Sequence, residues 1–357
     1  MADLPGTQRP RREYLDWYRG VAVVYMITAH LLDSWTLDPD RGSALYRQVM
    51  IVAGTGTTLF LLLAGVSVAL SAGSKLRRFE DAARASRTVA LRGLEIFALA
   101  FLFRLQAWVI SGTGSPRDLL RVDILNIMGP SIVAAALMWR LAGSLTGRAL
   151  VFAGATLATA LLTPLVRAAP LGMLPDPLEA YIVPVSGLSA FVFFPWSGMV
   201  FAGAIAGVLL DGAGNGSVER RLNRRIIAAG ALVAAAAYGA SYLPSPYPRS
   251  DFWTSSPAYF FLRVGVVLAG IGVAYVWNDK VRRKGRWSPL VQLGRTSLFI
   301  YWIHVELIYG VFSRPLHKSL TLTQALVACA LFTGVMLICS VLKERLAARV
   351  RERSSAA

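Results

Sequence analysis

The sequence is poor in charge, in cysteine and in histidine. Only 16% of its 357 residues are charged while 55% are hydrophobic, whereas soluble domains carry about a quarter charged residues, so a soluble globular chain is excluded. Cysteine occurs twice, at Cys329 and Cys339. Ten positions apart on one apolar stretch, the two would lie ~15 Å apart along a helix and cannot bridge. A disulfide framework is therefore absent. The three histidines form no cluster with Cys, Asp or Glu at metal-ligand spacing, so no metal is expected. The chain also lacks a Gly-Lys-Ser/Thr phosphate loop, a nucleophile elbow and an internal repeat, and it has no stretch that reads as a soluble domain.

Acidic residues are also few: 20 Asp and Glu stand against 37 Lys and Arg, for a net charge of +17. In a soluble chain that excess would point to nucleic acid. Here its placement excludes nucleic acid, because the charges sit between hydrophobic runs and on alternate connections. Ten such runs are present: Tyr14 to Leu32, Val49 to Ala72, Val89 to Ile110, Leu119 to Trp139, Ala149 to Val166, Leu188 to Leu210, Ile226 to Leu243, Ala258 to Trp277, Thr296 to Phe312 and Leu322 to Leu342. A helix of ~20 apolar residues crosses a ~30 Å hydrocarbon core. The expected fold is therefore an all-α, polytopic membrane protein of about ten transmembrane helices. It is read as one domain over residues 1–357, with a helix bundle over 14–342 between tails at 1–13 and 343–357. With ten spans, 24 Lys and Arg fall on the N-terminal side and 8 on the opposite side, which by the positive-inside rule puts both termini in the cytoplasm. No cleavable signal peptide is expected, because the first run is too long and carries Arg19 and His30.

Those two residues make the first run the organising element. Eleven positions apart, they fall within roughly 20° of one another on a helix and ~16 Å apart along it. An ionisable group at mid-bilayer costs at least ~2.5–3.5 kcal/mol, so two on one stripe are expected to face protein or a wet cavity. Arg19 also pairs by spacing with Asp16, and an interfacial anchor is the plainer role for it. The second run, Gly54 to Ser67, is dense in Gly, Thr and Ser, as close helix packing requires.

Further intramembrane cations follow. Arg92 and Glu95 are one turn apart and read as a structural pair. Arg104 lacks a local partner, but Asp123, which with Asn126 opens the fourth run, is expected at similar depth. Pro195, in Phe193-Phe-Pro-Trp196, is expected to kink the sixth helix near one end. The loop from Pro244 to Pro257 carries Tyr247, Phe252 and Trp253, an interfacial belt by composition. Arg263 lies just inside it. In the ninth run Ser297, Tyr301 and His304 recur at i, i+4 and i+7, one helical face. Glu306 lies ~160° from His304 on the wheel, and His317 is expected to be solvated.

Taken in order, Asp16-Trp-Tyr-Arg-Gly-Val-Ala with Met26 and His30, Leu59-Phe-Leu-Leu-Leu-Ala-Gly-Val-Ser67, Phe193-Phe-Pro-Trp196 and Gly294-Arg-Thr-Ser-Leu-Phe-Ile-Tyr-Trp-Ile-His304 resemble bacterial proteins of the heparan-α-glucosaminide N-acetyltransferase catalytic-domain-like group. That group stands with the acyltransferase-3 family, whose signature is an Arg and a His separated by ten residues, the spacing of Arg19 and His30. The resemblance implies a bacterial inner-membrane enzyme. It would move an acyl group, acetyl above all, from cytoplasmic acyl-CoA to a hydroxyl or amine of an extracytoplasmic glycan or other small acceptor, without a metal. In the lysosomal branch the position matching His30 is Asn and the catalytic His follows in the next loop. Here that loop, Asp33 to Gln48, has no His, so His30 rests on the acyltransferase-3 spacing and His304 stays a rival.

For such chemistry a neutral imidazole is the natural proton acceptor. Arg104, Arg263 and Tyr301 are candidate donors to the developing oxyanion. Arg19, with Arg295 and Ser297 at the start of the ninth run, is a candidate for holding the CoA end of the donor. The lipid bilayer, acyl-CoA and the acceptor are the expected partners, and a homo-oligomer is compatible with the sequence. A transporter or flippase would use the same polar stripes as a translocation path.

Overall fold

A computed structural model describes residues 11–111, 115–172, 174–214, 216–281 and 286–356. The tail through residue 10, and Arg282, Arg283 and Lys284 of the basic connection before the ninth run, lie outside the described residues.

Each of the ten apolar runs overlaps a helix, and the described residues hold no strand, only two isolated bridges, Thr36 with Leu320 and Val122 with Ser189. In chain order the helices are α1 (Glu13–Trp35), α2 (Asp38–Arg41), α3 (Ala44–Phe79), α4 (Ala82–Ser111), α5 (Ile124–Arg140), α6 (Leu145–Ala168), α7 (Asp176–Glu179), α8 (Phe193–Ala213), α9 (Ser217–Ala240), α10 (Pro257–Lys280), α11 (Pro289–Arg295), α12 (Ser297–Tyr309) and α13 (Leu322–Ala356). Six of them, α3, α4, α6, α8, α10 and α13, are long and apolar enough to cross a membrane. α5 and α12 are apolar but shorter, at 17 and 13 residues. α1 and α9 reach 23 and 24 residues with more charge in their first turns, including Glu13, Asp16 and Arg19 on α1 and Glu219 to Arg225 on α9.

Two of the short helices have identifiable causes. α5 starts late because Asp123 caps it: its carboxylate accepts from the Ile124 N–H at 3.0 Å, and the Asn126 side chain accepts from the Asp123 N–H at 3.0 Å, a reciprocal capping box. The ninth run is broken at Thr296, whose backbone (φ −107°, ψ 16°) leaves the helical region. The Thr296 hydroxyl meets the Ser340 hydroxyl of α13 at 2.5 Å, and Gln292 donates to the same oxygen at 3.0 Å. This buried side-chain network ties α11 and the break itself to α13.

The described residues divide into two compact units, those of 12–60 with 276–356, and those of 61–275. In the first of these, α1 packs on α11, α12 and α13. The approach of α1 to α11 is a reciprocal glycine contact: a Cβ at Gly20 would lie 1.9 Å from the Leu290 carbonyl oxygen, and one at Gly294 would lie 1.8 Å from that of Asp16. Only residues without a side chain permit this distance, which accounts for a glycine in each of the two motifs. Ala22, Ile27, Leu31, Leu32, Ile300 and Ile308 are sealed from solvent around it.

The other unit pairs α4 with α5 and α6 with α8. Gly65 and Gly203 repeat the same device, their missing Cβ atoms falling 1.8 Å from the carbonyls of Val200 and Leu62. Gly65 of the second run thus serves helix packing. The kink expected at Pro195 falls at Phe194, in the first turn of α8, and the residues from Leu188 to Val192 are not helical. Phe194 is extended (φ −99°, ψ 122°) and the continuous helix follows it, because the residue before a proline is pushed out of the α region. Val122, Ile127, Ala180 and Leu188 form a buried cluster beside this start, with Phe191, Phe193 and Trp196 packed on it.

Candidate active site

α1 is unbroken from Glu13 to Trp35, so Arg19 and His30 share a face as their spacing requires, and both are half-buried. At the Arg19 end, Arg19 donates to the buried Asp16 at 3.2 Å, and Arg295 meets Glu13 at 3.3 Å. The Gly20–Gly294 crossing places these two pairs side by side. Both guanidinium groups are therefore oriented by carboxylates, and a phosphate arriving here would compete with Asp16 and Glu13 for them. Ser297, one turn beyond Gly294, is buried.

At the other end of α1, the Nδ1 of His30 lies 3.1 Å from the Nε2 of His304. The ring planes are 9° apart and the centroids 5.2 Å apart, close to the N···N distance plus two ring radii. The imidazoles are thus coplanar and edge to edge, with the hydrogen bond in their common plane. His304 is completely buried, and its Nδ1 lies 2.8 Å from the carbonyl oxygen of Ile300, one turn back on α12. A carbonyl only accepts, so that nitrogen carries the proton.

Aromatic rings wall this pair. Tyr301 stands edge-on to His304 at 5.7 Å and parallel to Phe60 at 6.4 Å, while Tyr309 stands edge-on to His30 at 5.7 Å. The Tyr309 hydroxyl donates to Asp33 at 2.9 Å, and Arg41 holds the Asp33 backbone carbonyl and its carboxylate. The last turns of α1 and α12 are joined through one acceptor: Ser34, Trp35 and Ser313 all donate to the Ile308 carbonyl, at 3.2, 3.1 and 2.6 Å. Backbone bonds from Leu37 and Leu320, to Leu320 and Trp35 respectively, continue the tie into α13.

The sequence-predicted residues thus fall into two sets. His30, His304 and Tyr301 come together, and Ser297 lies on the same buried face of α12 as the last two. Arg104 and Arg263 belong to the other unit. There Arg104 is bonded to Asp123, the cap of α5. Arg263 lies over the rings of Trp196 and Tyr259, at 4.8 and 5.4 Å, a cation–π arrangement. Arg92 pairs with Glu95 at 2.7 Å, as its spacing predicts. A cavity of about 630 Å³ in that unit, lined by Leu161, Ala236, Leu243, Tyr247, Phe252 and Phe261 among others, contains none of the predicted site residues. His317 is exposed. The described residues contain no group of three or more His, Cys, Asp or Glu that would hold a metal.

Asp33 and Tyr309 were not foreseen as site residues. For Asp33 the signal was present in the spacing, three positions after His30; Tyr309, five after His304 and ~140° round the helix from it, carried none.

Residues 11–236 match the family model described as heparan-alpha-glucosaminide N-acetyltransferase, catalytic. The match takes in Arg19, His30 and Arg104, and leaves out Arg263, Arg295, Ser297, Tyr301 and His304. No curated protein matches the chain.

Proposed function

Because this chain belongs to the heparan-alpha-glucosaminide N-acetyltransferase catalytic family, a family of transmembrane acetyltransferases, we propose that it transfers an acetyl group from acetyl-CoA to a hydroxyl or amine with His30 as general base. The observation that carries this reading is the His30 imidazole itself. It is anchored through Nδ1 to a buried partner at 3.1 Å and stands half-buried at one end of α1, on the same helix face as Arg19.

The chemistry then runs along α1. The CoA end of the donor is held at Arg19 and Arg295 with Ser297 beside them, and the acyl-bearing arm extends the ~16 Å towards His30. His30 Nε2 takes the proton of the acceptor O–H or N–H as that atom attacks the thioester carbon. The C–S bond breaks, and the proton returned from Nε2 accompanies the CoA thiolate. Tyr301, beside His304, is the donor proposed for the oxyanion. Aromatic walls at the buried Phe60 and Tyr301 limit the water that would otherwise hydrolyse the thioester.

In this reading ten helices cross a bacterial inner membrane. α11 and α12 act as one broken span, the 24 to 8 distribution of cations puts both termini in the cytoplasm, and His30 faces the far side, where a glycan or other small acceptor arrives.

The test is transfer of labelled acetyl from acetyl-CoA by purified protein in nanodiscs, over a panel of amino sugars and sugar alcohols. Acceptor-dependent release of CoA supports the assignment. Protein that neither binds acetyl-CoA nor acetylates any acceptor refutes it.

A further inference from the structure

Two nitrogens of a neutral imidazole share one proton, so a hydrogen bond made by one nitrogen decides what the other can do. That rule runs in one direction along the histidine pair. The Ile300 carbonyl, 2.8 Å from the Nδ1 of His304, accepts, so His304 carries its proton on Nδ1. In its neutral form its Nε2 is then an acceptor. The hydrogen bond of 3.1 Å from His30 to that nitrogen therefore has the proton on Nδ1 of His30, which makes Nε2 the basic nitrogen of His30. A backbone carbonyl of α12 thus dictates, through one intervening ring, which atom of a side chain on α1 is the base.

We infer that His304 is the positioning residue of this site: it fixes the tautomer and ring plane of His30 so that Nε2 is the proton acceptor. The inference rests on the reading of His30 as general base. His304 itself is completely buried, with one ring nitrogen bonded to Ile300 and the other to His30, so it acts through His30. Its place in the chain is informative, because it lies beyond residue 236, where the family match ends. The coplanar rings also hold the imidazole of His30 against rotation about its Cβ–Cγ bond. When His30 accepts a proton, its Nδ1–H still points at a neutral acceptor, so His304 orients the base without supplying charge. In this it differs from the carboxylate that orients the histidine of a serine-protease triad.

The chain has only three histidines, which makes the tautomer directly observable. Histidine-selective 15N NMR on the full-length protein in nanodiscs, with His317→Gln and His304→Gln used for assignment, is expected to show His30 protonated on Nδ1 and unprotonated on Nε2. His304→Leu removes the acceptor. It is expected to shift His30 to the Nε2-protonated form or a mixture, and to lower kcat for acetyl transfer by about 10²- to 10⁴-fold, the range of general-base catalysis, with KM for acetyl-CoA unchanged. His304→Gln restores an acceptor and is expected to recover a substantial part of kcat. A wild-type His30 protonated on Nε2, or His304→Leu leaving both the tautomer and kcat as they were, overturns the inference. Should the Leu variant fail to fold, the wild-type spectrum still decides. Because the spectrum needs no acyl donor, an Nδ1-protonated His30 in a protein without transferase activity would refute the general-base reading while leaving the tautomer assignment standing.

Discussion

His30 and His304 are 274 positions apart in the chain, and their ring nitrogens are 3.1 Å apart in one plane. The contact exists because α1 and α11 touch backbone to backbone at Gly20 and Gly294, and because the far ends of α1 and α12 share the Ile308 carbonyl. Two clamps, one at each end of α1, hold the pair in register.

The glycine clamp predicts a steep cost for the smallest enlargement. A methyl at Gly20 or Gly294 would penetrate a backbone carbonyl, and backbone on both sides cannot yield as a flexible side chain does. Gly20→Ala and Gly294→Ala should each lose about 3 kcal/mol or more, at the upper end of overpacking costs. Gly334, with nothing within 4 Å of its added Cβ, should tolerate Ala or gain up to about 1 kcal/mol from lower unfolded-state entropy. Thermal unfolding of the three variants in detergent checks this, and equal melting temperatures would contradict the clamp.

Asp123 has two jobs that substitution separates. It caps α5 and it neutralises Arg104. Asp123→Asn keeps the cap and loses the charge, whereas Asp123→Ala loses both. The Ala variant should be less stable than the Asn variant by the value of a cap, about 0.5–2 kcal/mol, as read from melting temperatures. Identical losses would mean that the cap contributes nothing.

Tyr309→Phe removes the hydroxyl that donates to Asp33 and leaves the ring against His30. Because Asp33 is half exposed, a loss of about 0.5–1.5 kcal/mol is expected, with transfer activity retained. Loss of activity without loss of stability would show that the hydroxyl acts in the chemistry.

At the opposite end, Arg19→Gln and Arg295→Gln should each raise KM for acetyl-CoA by about 10-fold or more, the value of a charge-assisted hydrogen bond, with a smaller effect on kcat. Since both guanidinium groups already meet carboxylates, unchanged KM values in steady-state assays would assign them to holding α1 against α11 alone.

Hydrophobic run length and helical spacing placed every long helix in the sequence, and local arithmetic placed two pairs, Arg19 with Asp16 and Arg92 with Glu95, and one shared face, that of Ser297, Tyr301 and His304. Arg104 with Asp123 followed from equal depth on neighbouring helices. What local arithmetic could not supply was the pairing of His30 with His304, since two polar stripes on distant helices carry no information about which neighbours they meet. The break at Thr296 was hidden for a similar reason. It is accompanied by hydrogen bonds to Ser340, whose partner is 44 positions away, and Gly294-Arg-Thr-Ser, though it carries stop and start residues, lies within a continuous apolar stretch. Pro195 was legible as a backbone disturbance, but whether it bends a helix or opens one depends on the packed turn at Leu188 to Phe193.

The most direct test of the account is acetyl transfer from acetyl-CoA by wild-type and His30→Ala protein, both reconstituted in nanodiscs and matched for melting temperature. The account predicts a fall in kcat of at least about 10²-fold with acetyl-CoA still bound, as expected when a general base is removed. A His30→Ala protein that turns over at the wild-type rate would contradict it.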